Sequence, residues 1–290
     1  MTHPPQEKIT LHLAPQVTAA LLVYGSGVQK GKPVFLCLPA MGIGSKHYAG
    51  LAFDLARKLQ TIVFVTDWRG LGTSSVRVKR GVDFGYKELT EDLQQVLQTI
   101  KTRLPNNPVY ILGHSLGGQI AFLYSGWGKI PIAGIILLAS CSIYYKGWNG
   151  WAAYKLLAFT KFARLLTHLY GYFPGKRVGF AGNEAKTVIQ DWSHAAACGK
   201  YELANTNFDY EAATAQVVMP ILAVAVANDT YAPHRAIQNL CAKFHPKSAV
   251  THATIGGKKS HHPVTHNNCI KHTNLLLPLI ETWLQQISAL

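Results

Sequence analysis

The stretch Val109–Gly126, VYILGHSLGGQIAFLYSG, decides how this chain reads. An apolar, strand-like run passes through a glycine-rich turn and continues at once into a helix-forming run. Gly113-His114-Ser115-Leu116-Gly117 fits G-x-S-x-G, a pattern that is weak alone because glycine and serine are common. Its setting between strand and helix gives it weight. A sharp turn there holds the serine in a strained backbone conformation that bulky neighbours would block. It projects the hydroxyl at the carboxyl end of a sheet, and the following helix aims its N-terminal N–H groups at developing negative charge. The competing reading, a glycine-rich helix cap, does not call for the strand in front.

Outward from that stretch, short β-branched runs alternate with longer helical patterns. Strands are expected at Ile9–Leu13, Val17–Gly25, Val34–Pro39, Thr61–Asp67, Val109–Gly113, Ile132–Ser140, Pro220–Asp229 and Ala249–Ile255. Helices are expected near Tyr48–Leu59, Lys87–Leu104, Leu116–Gly126, Pro233–Phe244 and Val264–Ile287. Near-continuous apolar strands separated by helices indicate an eight-stranded, mostly parallel sheet covered on both faces. Residues 141–210 break the rhythm with an aromatic, cationic, helical block, WNGWAAYKLLAFTKFARLLTHLYGYF. Trp148, Trp151, Tyr154, Leu157 and Phe162 fall roughly on helical spacing, which taken singly suggests ordinary packed positions. As a unit, an insertion between two core strands suggests a cap over a site, with 1–140 and 211–290 forming the core.

A serine hydroxyl needs a base, and the base an orienting carboxylate. In a strand–serine–helix architecture the acid precedes the histidine along the chain. The run PILAVAVAND delivers Asp229, after which only Glu281, deep in the last helical pattern, remains. Asp229 is therefore the acid by position and by elimination. The histidine should lie in GGKKSHHPVTHNN: His261 is preferred, His262 qualifies equally by position, and His266 is third, in the first turn of a helix opened by Pro263. A metal reading of His262 and His266 lacks companion ligands, so neither metal nor cofactor is expected. The oxyanion donors should be the N–H groups of Leu116 and of Met41 in the loop AMGIGS.

At these residues the sequence resembles the α/β-hydrolase superfamily along nearly its whole length. LPAMGIGSKHY resembles the oxyanion loop, DWRGLGTSS (Asp67–Ser75) a family loop segment, GHSLGGQ the serine elbow and NDTYAP the acid turn. More narrowly it is similar to a bacterial group related to serine aminopeptidases and lysophospholipase-like esterases, whose cap motif YFPGKRVGFAGNEAKTVIQDW (Tyr172–Trp192) resembles. The resemblance implies an α/β-hydrolase fold with a helical cap, and a loop-bracing role for Asp67. The family's usual Gly-His before the last helix is Ser260-His261 here, which keeps His261 and His262 both open.

Of 290 residues, 48% are hydrophobic and 14% charged, enough apolar content for a large core. The formal charge of +14 divides two to one between basic and acidic residues in each third of the organisation, with only Arg77, Lys79 and Arg80 forming a knot. Nucleic-acid binding concentrates its charge, so that class is set aside; attraction to anionic substrates or transient contact with a membrane surface remains. Five scattered cysteines without CxxC, and no signal-like start, suggest reduced thiols and a cytoplasmic protein. The expected activity is ester hydrolysis on a hydrophobic small molecule. The alternatives are acyl transfer, peptide cleavage with Glu184, Asp191, Glu202 or Asp209 holding an amine, and a non-catalytic binding role. Those four acids read more simply as solvated surface groups.

Overall fold

A computed structural model describes residues 3–180, 182–257 and 263–288. In chain order the first half carries β1 (Glu7–Ala14), β2 (Val17–Tyr24), β3 (Val34–Leu38), α1 (Ala49–Leu59), β4 (Val63–Thr66), α2 (Tyr86–Arg103), β5 (Val109–His114), α3 (Leu116–Trp127) and β6 (Gly134–Leu138). Then follow α4 (Trp151–Tyr170), β7 (Tyr172–Phe173), β8 (Glu184–Ala185), α5 (Lys186–Cys198), α6 (Tyr210–Thr214), β9 (Ile221–Val226), α7 (His234–Cys241), β10 (Val250–Ile255) and α8 (Thr273–Ser288).

Eight strands form one sheet in the order β1-β2-β4-β3-β5-β6-β9-β10. The β1/β2 and β2/β4 pairs are antiparallel and the rest parallel. Every residue of β3, β4, β6 and β9 is buried, as unbroken runs of Val, Ile, Leu and Phe require when helices cover both faces. The expected strands are all present. β5 lies centrally, so the turn after it opens at the middle of the sheet's carboxyl edge, where parallel sheets bind their ligands. Three non-glycine residues with positive φ stand at strand ends on that edge: Ser115 (52°), Ala139 (45°) and Asn228 (61°).

One expectation is corrected. The last helix begins at Thr273, not beside Pro263. Thr265 and Asn268 close a turn on each other: the Asn268 Oδ1 accepts from Thr265 N–H at 2.7 Å, and Thr265 Oγ1 from Asn268 N–H at 3.3 Å. Asn268 also donates to the Pro263 carbonyl at 3.0 Å. These side chains satisfy the backbone locally, which competes with helix. The segment between β6 and β9 also pairs β7 with β8, a two-residue ribbon too short to read from sequence. Among the described residues, no helix is long and apolar enough to cross a membrane.

Candidate active site

Ser115 has φ 52° and ψ −113°, outside the regions open to ordinary L-residues. Two hydrogen bonds hold it there. Its N–H donates to Leu138 O at 3.0 Å, and the buried Ser140 hydroxyl donates to its carbonyl at 2.7 Å. The glycines around it permit close packing: a Cβ on Gly117 would fall 2.3 Å from the Leu38 carbonyl oxygen, and one on Gly118 2.4 Å from Ser140 Oγ.

Asp229 follows β9 after the left-handed Asn228, its side chain almost wholly buried. Its Oδ1 accepts from Tyr231 N–H at 2.8 Å, and its Oδ2 lies 2.8 Å from Nδ1 of His266. Burial alone would raise this carboxyl. The hydrogen bond and charge of His266, with the N–H groups of Tyr231 and Ala232, outweigh it and hold the group below its ordinary value. His266 is thus the histidine that the structure joins to Asp229. It stands in the turn before α8 rather than in a helix. His261 and His262 lie outside the described residues. Because Nδ1 is committed to Asp229, the other ring nitrogen, Nε2, is the one left for a reacting partner.

Ser115, Leu116, Met41 and His266 line one cavity of about 650 Å³. No hydrogen bond joins the Ser115 hydroxyl to the His266 ring among the described residues. The Leu116 and Met41 N–H groups likewise have no acceptor there, so both donors remain available. Tyr86, Gln119, Cys141, Ile143, Trp148, Phe159, Phe180, Trp192 and Tyr231 give the cavity an aromatic, mostly apolar wall. Its lining holds Lys155 and His266 but no carboxylate.

His114, the residue before the serine, is fully buried and binds three loops together. The His266 carbonyl can only accept, so the His114 Nε2–H donates to it, at 2.9 Å. The Tyr48 hydroxyl then donates to Nδ1 at 2.7 Å while accepting from Ala40 N–H at 2.8 Å. Burial, with the neighbouring His266, pushes His114 down to about 3, so it stays neutral across the physiological range. Sequence reasoning passed over His114, as it did Ser140. The available signal was a polar side chain at the end of a buried strand, which must find partners.

Asp67 ties the loop after β3 to the loop after β4, the bracing role its resemblance implied. The buried carboxylate accepts from Ser45 N–H (2.6 Å) and hydroxyl (2.8 Å), and from Thr73 N–H (2.8 Å) and hydroxyl (2.9 Å). Asp67→Ala leaves those donors unpaired in the interior. A loss of roughly 2–4 kcal/mol in urea unfolding is expected, and a loss under 0.5 kcal/mol, within the range of a neutral surface change, would refute the brace.

Two of the four acids read as solvated are buried. Asp191 accepts from Tyr86 N–H and Ala204 N–H, both at 2.8 Å, and so caps α2 from α5. Glu184 is enclosed with no partner for its Oε1 among the described residues. Glu202 and Asp209 are exposed, and Asp209 caps α6 through Ala212 N–H. The described residues that could gather around a metal are His194, Cys198 and Glu202, with ligand atoms within 4.8 Å of one another. None of the three lines the Ser115 cavity, and Glu202 is already paired with His194 at 3.0 Å and Lys200 at 3.8 Å.

The family model for Serine aminopeptidase, S33 (Hydrolase_4) matches residues 29–262. The chain belongs to this family. It is 32% identical over 111 residues to monoglyceride lipase of Rattus norvegicus, covering 38% of this chain and 36% of that protein. It is 30% identical over 121 residues to protein phosphatase methylesterase 1 of Mus musculus, covering 42% and 29%. The matches thus span about a third of these relatives' length. Est1E of Butyrivibrio proteoclasticus, solved with ferulic acid bound, superposes with a TM-score of 0.67 at 15% identity, covering 97% of this chain and 99% of that one. The eight-stranded sheet with its flanking helices is the α/β-hydrolase fold.

Proposed function

We propose that the protein is a serine esterase acting on a hydrophobic carboxylic ester, with residues 141–210 as a cap over its site. The observation that carries this reading is a strained serine, in a mostly apolar cavity, shared with a histidine hydrogen-bonded to a buried carboxylate. Ser115 attacks the ester carbonyl while His266 Nε2 takes its proton, and Asp229 keeps Nδ1 protonated and balances the imidazolium that forms. The Leu116 and Met41 N–H groups receive the oxyanion. His266 returns the proton to the departing alcohol. Water, activated by the same ring, then releases the acid and regenerates the serine.

The family is described as aminopeptidase, yet an amine-binding pocket needs a carboxylate at its wall. Asp191 is spent capping α2, Glu184 does not line the cavity, and among the described residues Lys155 stands at its wall. This supports a neutral ester with an acyl or aromatic group over a peptide with a free N-terminus. Acyl transfer uses the same intermediate and differs only in what intercepts it.

Two measurements test the reading. A fluorophosphonate probe should label the native protein and not Ser115→Ala. A panel of p-nitrophenyl esters should be turned over in preference to aminoacyl p-nitroanilides. An unlabelled serine, labelling that survives Ser115→Ala, or anilides cleaved faster than esters would overturn it.

A further inference from the structure

Helix α4 is two-faced in an unusual sense. Its inner side supplies Ala152, Leu156 and Phe159 to the cavity wall and buries Ala153, Thr160, Ala163 and Thr167. Its outer side is also apolar. Trp151 is 81% exposed, Tyr154 63%, Phe162 45%, Leu165 55% and Leu169 59%. At 100° per residue these five, with exposed Ala158, form one stripe along about 30 Å of helix. The expectation that the aromatics here are packed positions is corrected for Trp151, Tyr154 and Phe162. Single exposed apolar residues need no explanation, but a continuous stripe on one helix does.

The charge around the stripe has one sign. Between residues 141 and 183 there are six lysines and arginines (Lys146, Lys155, Lys161, Arg164, Lys176, Arg177) and no aspartate or glutamate. The two-to-one ratio over 141–210 conceals this, because all four acids of that segment lie from Glu184 onward. Lys155 flanks the stripe on one side, Lys161 and His168 on the other. Arg80, from the cationic knot at 77–80, adds to it by donating to the Leu169 carbonyl at 2.8 Å, and Arg177 lies over the Tyr170 ring at 5.8 Å. Trp, Tyr, Phe and Leu on one face with cations alongside is the pattern of a helix that lies in a bilayer interface. A second copy of this chain would bring the same positive charge against itself, which charge complementarity disfavours.

We infer that the outer face of α4 docks the protein on anionic membrane surfaces, Trp151, Tyr154, Phe162, Leu165 and Leu169 entering the interface and the flanking cations meeting lipid phosphates. The adjoining side of the same helix, which Lys155 shares, walls the cavity, so docking sets the candidate site beside the bilayer. Resting on the esterase reading, this makes the substrate class an ester drawn from the membrane rather than from water.

Flotation with vesicles of phosphatidylcholine containing about 30 mol% phosphatidylglycerol tests the docking without reference to catalysis. Native protein should float with them, weakly with pure phosphatidylcholine, and less as salt rises. The variant Trp151→Ser/Phe162→Ser/Leu165→Ser should lose at least about tenfold in vesicle affinity while keeping its circular dichroism spectrum and its rate on p-nitrophenyl acetate. Lys161→Glu/Arg164→Glu, which leaves the stripe intact, should also weaken binding to the anionic vesicles. Absence of flotation, or equal flotation of the stripe variant, would overturn the docking. So would a native dimer in sedimentation that the stripe variant abolishes without any vesicle binding. An esterase-dead protein that still floats would overturn the substrate and leave the surface standing.

Discussion

His266→Ala should lower kcat on a p-nitrophenyl ester by about 10⁴–10⁶-fold with KM little changed, whereas His261→Ala and His262→Ala should stay near the native rate. His266 Nδ1 lies 2.8 Å from Asp229 Oδ2, and the other carboxylate oxygen is held by Tyr231 N–H at 2.8 Å. Its backbone is fixed too, because His114 Nε2 and Cys269 Sγ both donate to the His266 carbonyl, at 2.9 and 3.1 Å. The ring lies between His114 and Tyr231, with centroids at 5.3 and 5.4 Å. The ring brings its free Nε2 to the cavity it shares with Ser115, so its loss should fall on the rate. Removing the ring leaves the Leu116 and Met41 N–H groups and the cavity intact, which is why residual catalysis above water is expected. Near-native turnover in His266→Ala, or a collapse in His261→Ala alone, would move the base elsewhere.

Much of this was legible in the sequence, and the exceptions have physical causes. The strands were readable because residues buried on both sheet faces leave unbroken apolar runs, as in VFLCL and ILAVAV. The strand–turn–helix setting of Ser115 was readable because such a turn calls for glycine at fixed offsets, and the candidate acid Asp229 because acids are scarce after β9. The choice among three histidines depended on how many residues the loop after β10 consumes, which sequence periodicity does not measure. Pro263 suggested a helix start, but the Thr265–Asn268 turn and a single 3-10 turn at Cys269–Lys271 carry the chain to Thr273, where the last helix begins. Ser140 and His114 act through contacts made by elements distant in sequence, so neither left a local pattern. The outward face of α4 was misread because helical spacing of aromatics does not say which side of the helix meets the core.

The largest stability effect should come from Glu184. Burial in the segment that pairs β7 with β8 raises its carboxyl to about 8, and Oε1 has no partner to offset the loss of water. The carboxyl is held where packing is tight: a Cβ on neighbouring Gly182 would fall 2.8 Å from Gly42 Cα and 3.4 Å from this Oε1. Between its ordinary pKa of 4.5 and about 8, the native state holds a proton that the unfolded chain has released. Stability therefore declines with rising pH across that window and is fully present below it. Glu184→Gln keeps the shape and removes the titration. The variant and the native protein should unfold at similar urea concentrations near pH 4 and diverge as pH rises. At 1.36 kcal/mol per unit, the variant's advantage should reach up to about 5 kcal/mol by pH 9. His114, driven down to about 3 by burial, acts in the opposite sense: the unfolded chain takes up its proton first, so stability falls on acidification below about 6.5. That loss is common to both proteins and cancels in the difference. A pH-independent gap between Glu184→Gln and the native protein would show that the Glu184 carboxyl does not titrate in this range.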